Sequence, residues 1–490
     1  MMSDAADIGR NRYLWLICLV AAMGGFLFGY DWVVIGGAKP FYEPYFGLSE
    51  PGQEWMAGWA ISSALVGCLG GALSAGALGS RYGRKRLLML AALLFAISAI
   101  LTAVASDMNT FIVARILGGI GIGLASGISP MYLAEVTPAE RRGRMVSINQ
   151  MTIVVGVLAA QLANLAIYNL SPVEPQAGAS EILASWNGQV GWRWMFAAEA
   201  LPALLFLILA TLIPESPRWL IKEGRDAEGL AVLEKISGKA YADREVESIR
   251  SSLGEVSEKS ELSSLREPKL KLIVCLGVFL AVLQQWSGIN VIFNYADEVF
   301  KAAGYDVSVL MMNIVITGMV NLVFTLVAIK TVDRWGRRPL MLLGSGGLAV
   351  IYALMGACYF FEVQGVGVLL VILLAIACYA MTLAPVTWVL LSELFPNRVR
   401  SMAMGLSVAA LWVASFLLTY SFKPINSGLG AAGTFWLYGL ICTIGFLIIF
   451  ARLPETKGKS LEEIERELMA GDSDKRGSSD SVEASQCAVD

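Results

Sequence analysis

SRYGRKRLLML, residues 80–90, returns as DRWGRRPLMLL at 333–343. Each copy sets basic residues around a glycine and follows them with an apolar run. Two further pairs keep the same order. AEVTPAERRG places Glu135 seven residues before Arg142, and SELFPNRVRS places Glu393 seven before Arg400. PESPRW at 214–219 is answered by PETKGK at 454–459. One such match is weak, but three in order define two related halves. Parallel repeats about an axis along the membrane normal are a transporter signature.

Composition puts the halves in a bilayer. The 490 residues are 56% hydrophobic and 16% charged, with a mean hydropathy of +0.63, against about a quarter charged in a soluble domain. Apolar runs of ~20 residues, the length that crosses a bilayer as a helix, recur throughout. Lipid offers backbone groups no partners, so spans are helices or a closed barrel. These runs are continuous rather than alternating, which excludes a barrel.

The reading is therefore an all-α integral membrane protein with twelve transmembrane helices. Its spans are expected at 13–36, 55–79, 87–105, 110–133, 145–168, 193–213, 271–299, 308–330, 340–361, 367–391, 401–422 and 434–453. Residues 1–213 and 271–453 form two six-helix halves. The charged stretch 214–270 between them reads as a cytoplasmic helical insert. In the tail, 454–490, KSLEEIERELMA predicts a short helix, and the polar composition from Gly471 predicts disorder.

One set of loops holds fifteen basic residues, Arg10 to Arg400, and the opposite set only Lys39, Lys301 and Lys423. Both termini are thus expected in the cytoplasm of a multi-pass cell membrane protein. The first apolar run reads as a span rather than a cleaved signal. Net charge is −3 with no long basic block, so no nucleic acid is expected. Seven cysteines lack CxxC spacing and there is no histidine, so neither disulfide, metal nor cofactor is expected, and proton chemistry falls to carboxylates. No GxxxxGK[ST] loop is present, so ATP is not the driver, and no catalytic residue set is expected.

GGFLFGYDWVVIGG, residues 24–37, places Asp31 in a run clear of charge from Tyr13 to Ala38. Arg115 is the only charge between Asn109 and Ala134. Each lies about five residues from the outer end of its span, ~8 Å deep at 1.5 Å per residue. Glu199 enters span six to a similar depth. Isolated charges at that depth face a cavity or a partner. Asp31 and Arg115 therefore read as partners. A guanidinium favours the carboxylate anion, and its departure favours a proton, which makes the pair a workable proton switch. A static ion pair is the competing reading. Glu199 either tunes the pair or bonds between helices.

Span seven carries FLAVLQQWSGINVIFNY. Gln284, Gln285, Asn290 and Asn294 each offer an acceptor and donors, which vicinal sugar hydroxyls require. On a regular helix Asn290 and Asn294 share a face while the glutamines point elsewhere. A break at Ser287–Gly288 would let them converge. Gln150, Gln161 and Asn321 are further isolated amides. Trp388 and Trp412 offer indole faces for the C–H side of a pyranose. Individually, such amides also serve as glue between helices.

At the inner ends of spans, Arg84 and Arg337 follow a glycine turn. Glu135 and Glu393 end helices, with Arg142 and Arg400 across a short loop. Ion pairs there are expected to tie neighbouring helices and to break when the inner side opens. With Glu215, Asp333 and Glu455 they make up the expected cytoplasmic gate. Simple topological anchoring is the alternative for the arginines.

Together RYGRK, RILGGIGIG, PMYLAEVTPAERRG, PESPRW, QQWSGIN, DRWGRRPL, WVLLSELFPNRVR and PETKGKSLEE resemble the major facilitator superfamily, in particular its sugar porters. The likeness covers nearly the whole chain, nearest to the branch of bacterial xylose–proton symporters and mammalian glucose facilitators. It implies that Asp31 and Arg115 match a proton-coupling pair, and facilitators carry asparagine at position 31. It also implies sugar contacts at Gln150, Gln284, Gln285, Asn290, Asn321 and Trp388, with Phe28 and Trp412 as nearby aromatics.

Four departures bear on the sugar: Asn294–Tyr295 in place of a tyrosine pair, Ala384 for a glycine, Leu411 for an amide, and Val157 for a glutamine. The identity of the sugar is therefore not carried over. Ser80 in place of an aspartate leaves the first gate weaker than the second. The function implied is monosaccharide–proton symport by alternating access, with monosaccharide, proton and lipid as partners of a monomer in a bacterial inner membrane. An uncoupled facilitator is the alternative, and a sugar sensor or polyol carrier less so.

Overall fold

A computed structural model describes residues 2–174, 177–254, 268–395 and 399–458. The expected tail helix at 459–470 and the expected disorder beyond it lie outside the described residues, as does the side chain of Asp333.

Every expected span is helical, because inside lipid each backbone N–H must bond within its own segment. The first five are Met2–Tyr45, Glu54–Tyr82, Arg84–Val104, Met108–Val136 and Ala139–Tyr168. Span one runs on past its expected end at 36. Lys39 and Glu43 lie in that extension, and both are buried with partners of opposite charge. Their charges therefore do not end the helix where the hydropathy falls.

Several spans are broken. Span six opens with a π-turn, Asn187–Gly191, and continues as Trp192–Ala197 and Ala200–Leu212 with Glu199 at the junction. Span seven has three pieces, Pro268–Trp286, Ile289–Asn294 and Ala296–Ala302. Spans eight and nine are Val307–Trp335 and Arg337–Phe360, and span ten is Val366–Met381 plus Leu383–Leu394. The last helix, Arg400–Arg452, is 53 residues long. Unbroken, it would reach ~80 Å, more than twice a hydrocarbon core. Gly430 interrupts it at φ 69° and ψ 170°, making spans eleven and twelve.

The halves meet where span two lies against span eleven and span five against span eight. Large apolar side chains such as Leu201, Leu212 and Leu370 cover the outside, as lipid requires. Between the halves, Pro217–Lys222, Asp226–Ser237 and Lys239–Gly254 pack on their own small core of Ile221, Leu233, Ala242, Val246 and Ile249.

The repeated turns are superposable in kind. Gly83 and Gly336 both have φ 89°, with ψ 170° and 167°. A side chain there would be strained, and it would also collide. Its Cβ would lie 2.2 Å from a Glu215 carboxylate oxygen at one turn and 2.7 Å from Glu455 at the other.

Candidate functional site

Spans one and four cross so that Arg115 Nη1 donates to Asp31 Oδ1, while Nη2 reaches the Asp31 carbonyl at 3.3 Å. Both side chains are buried. Asp31 Oδ2 and Arg115 Nε have no protein partner. The close approach needs small neighbours: a Cβ on Gly118 would sit 2.7 Å from Asp31 Oδ2. Glu199, at the junction in span six, is buried within electrostatic reach of both charges. One of its carboxyl oxygens is unpartnered, and the Arg115 guanidinium lies 5.6 Å from the Phe196 ring beside it.

The amides of span seven converge because Gly288 breaks the helix at φ 82°. Asn290 donates to Gln285 Oε1 at 2.6 Å, Gln285 to Gln284 Oε1 at 3.2 Å, and Gln284 to the Ala384 carbonyl at 3.2 Å. Residues five apart on an unbroken helix would not meet this way. Asn294 stands outside this chain. Its buried carbonyl oxygen is unpartnered, and it lines a small cavity with Trp32, Ile61 and Arg115.

Phe28 and Trp412 have ring centroids 6.1 Å apart across the two halves, and the buried Trp412 Nε1 lacks a partner. Trp388 is 38% exposed, and Gln150 and Asn321 are half-buried.

Two residues join this region that the sequence reading left out of its site. Trp32 packs at 6.1 Å on Phe28 and 5.9 Å on Trp412. Its signal was adjacency to Asp31. Gln161 is buried and its amide nitrogen reaches Thr317 Oγ1 in the other half at 3.5 Å. It stood out only as an isolated amide.

At the arginine-rich end the pairing differs from the expected one. Glu135 takes Arg84 at 2.7 Å, and Glu393 takes Arg337 through two nitrogens at 2.9 and 3.2 Å. Arg142 is exposed, and Arg400 donates to the Phe395 carbonyl. The seven-residue spacing reflects a loop between spans, whereas the glycine turn aims Arg84 and Arg337 at the ends of spans four and ten. Ser216 and Thr456 complete the parallel, donating to Glu135 and Glu393 at 2.6 Å. Glu215 accepts from the backbone of Arg84 and Lys85, and Glu455 from that of Arg337 and Arg338. Burial pushes the Glu455 carboxyl up, but N–H donors from Lys457, Arg337, Arg338 and Thr456 outweigh it and hold the group below its ordinary 4.5.

Two repeated six-helix halves, a buried cluster of amides and a buried acid–guanidinium pair define a membrane carrier of the major facilitator type. More particularly, the chain belongs to the sugar transporter family, whose model, described as Sugar (and other) transporter, matches residues 17–468. The D-xylose-proton symporter of Escherichia coli (strain K12) is 38% identical over 485 residues, covering 93% of this chain and 96% of the relative. The arabinose-proton symporter of Bacillus subtilis (strain 168) is 37% identical over 452 residues, covering 92% and 94%. A solved structure of the xylose transporter of E. coli in a partially occluded inward-open conformation matches with a TM-score of 0.80 at 36% identity. It covers 92% of this chain and all of the other.

Proposed function

We propose that the protein carries a monosaccharide and a proton together across the bacterial inner membrane by alternating access. Both termini and the insert face the cytoplasm, and the monomer is the working unit. The observation that carries the coupling is the buried Asp31–Arg115 pair with the unpartnered Glu199 carboxyl beside it. A buried charge pair is costly to desolvate, and inside a membrane span such groups mark ion and substrate pathways. Asp31, Arg115 and Glu199 then handle the proton.

Gln150, Gln284, Gln285, Asn290, Asn294 and Asn321 bond sugar hydroxyls, while Phe28, Trp388 and Trp412 supply aromatic faces. Arg84, Glu135, Glu215, Arg337, Glu393 and Glu455 fasten the inner ends of the spans. Arg142, Arg400 and Asp333 belong to the same inner rim. Symporter relatives for xylose and arabinose support the substrate class.

The test is sugar-induced alkalinisation outside proteoliposomes. Proton uptake with sugar is expected, lost in Asp31→Asn while sugar exchange survives. Uphill accumulation persisting in that variant removes Asp31 as the coupling group. Exchange without any proton movement in the unmodified protein selects the uncoupled facilitator.

A further inference from the structure

Lys39, at the end of span one remote from the arginine-rich turns, is wholly buried. Its ammonium bonds Asp297 at 2.9 and 3.1 Å and Glu298 more closely still, and lies 3.4 Å from Glu43. Lys423 bonds both oxygens of Glu43 at 2.9 Å, and Lys301 lies 3.7 Å from Asp297. Lys39 and Glu43 belong to the first half. Asp297 and Glu298 sit on the last piece of span seven, and Lys423 on span eleven, all in the second half. The Lys39 ammonium also lies 5.2 Å from the ring of Tyr295, the residue at which span seven breaks.

The backbones close up around this cluster. A Cβ on Gly36, one turn inward, would sit 2.2 Å from the Phe293 carbonyl oxygen. A Cβ on Gly58 would sit 2.4 Å from that of Tyr420.

We propose that Lys39, Glu43, Asp297, Glu298 and Lys423 form an ionic lock that holds the outer ends of the two halves shut and is dismantled whenever the outer side opens. Carboxylate oxygens of Glu43, Asp297 and Glu298 lie within 4.8 Å of one another. A cation among them relieves this crowding, and the Lys39 ammonium sits in that place. The attraction is strong in a dry site, but opening returns five charged groups to water. The two effects nearly cancel, which suits a contact that must form and break in each cycle. Removing Lys39 leaves Glu43 facing Asp297 and Glu298, and removing Asp297 and Glu298 leaves Lys39 with no counter-charge in the second half, so either change weakens closure of the outer end.

The lock rests on the alternating-access reading, but its test does not require sugar to move. Nitroxide labels on Glu50 and Val363, exposed at the outer ends of the two halves, report their separation by double electron–electron resonance in nanodiscs, with the native cysteines replaced. Lys39→Met and Asp297→Asn/Glu298→Gln are each expected to raise the long-distance population on the order of tenfold. Lys39→Arg should leave it nearly unchanged.

Lys423→Gln, which spares the buried lysine, should give a smaller shift in the same direction, and it decides the matter if the stronger variants do not fold. Distances unmoved in the folded variants overturn the lock. Sugar flux absent from the unmodified protein overturns the transport reading instead.

Discussion

Asp31 and Arg115 close a buried ion pair between spans one and four, with side-chain exposures of 1% and 3%. Neither charge has the water that would sustain it alone.

Removing one partner should therefore cost more than removing both. Arg115→Gln leaves a buried carboxylate uncompensated, and a loss of about 3–5 kcal/mol is expected for breaking such a pair. Asp31→Asn/Arg115→Gln should recover most of it. Thermal unfolding in detergent, followed by tryptophan fluorescence, measures both. With Asp31→Asn measured alongside, a loss in the double variant equal to the sum of the two single losses would show that the pair contributes no mutual stabilisation.

Glu393 binds Arg337 through both carboxylate oxygens and also accepts from Thr456. Glu393→Gln removes the charge and keeps the shape. The arginine-rich ends of spans nine and ten should separate more readily, biasing the protein toward the state open at that end. Labelling rates of cysteines placed on the two faces check this, and unchanged rates count against a latch.

Gly288→Ala should damage the site before it damages the fold. Its Cβ would meet the Tyr438 ring at 2.7 Å, at a backbone angle that costs an L-residue about 1–2 kcal/mol. Shifting the break pulls Asn290 away from Gln285. A sugar KM raised about tenfold corresponds to ~1.4 kcal/mol, and is expected with assembly intact. Counterflow kinetics measure it; an unchanged KM would mean the break does not shape the amide cluster.

The Glu455 turn carries a pH signature. The carboxyl is held below 4.5 in the folded protein, so the unfolded chain takes up the proton first as pH falls. Its contribution is full above that value and is lost as pH drops through the depressed one. Glu455→Gln should lower the unfolding temperature at neutral pH, with the gap from the unmodified protein closing under acid conditions. A gap that persists or widens in acid would assign the effect to something other than the carboxylate.

Span seven shows where the sequence stops being sufficient. QQWSGIN advertises amides and a weak point, but not which amides meet. That depends on the direction the chain takes after Gly288, where the ring of Tyr438 from another span leaves no room for a side chain. The arginine-rich end shows the same limit. Repetition marks Glu135 and Glu393 as a matched pair of acids, yet their arginines come from the turns at 84 and 337, not from those seven residues on.

The sequence by itself determined the membrane, the helices, the two halves and the acid in oil. Lipid imposes hydrogen bonding within each segment, and that rule acts locally along the chain. Tertiary structure alone decided the partners: Arg84 for Glu135, Trp32 between Phe28 and Trp412, and Lys39 among three carboxylates drawn from both halves. A charge near a helix end reads as a loop residue until a neighbour brings it a counter-charge. Such long-range electrostatic and packing choices leave no mark on hydropathy or spacing.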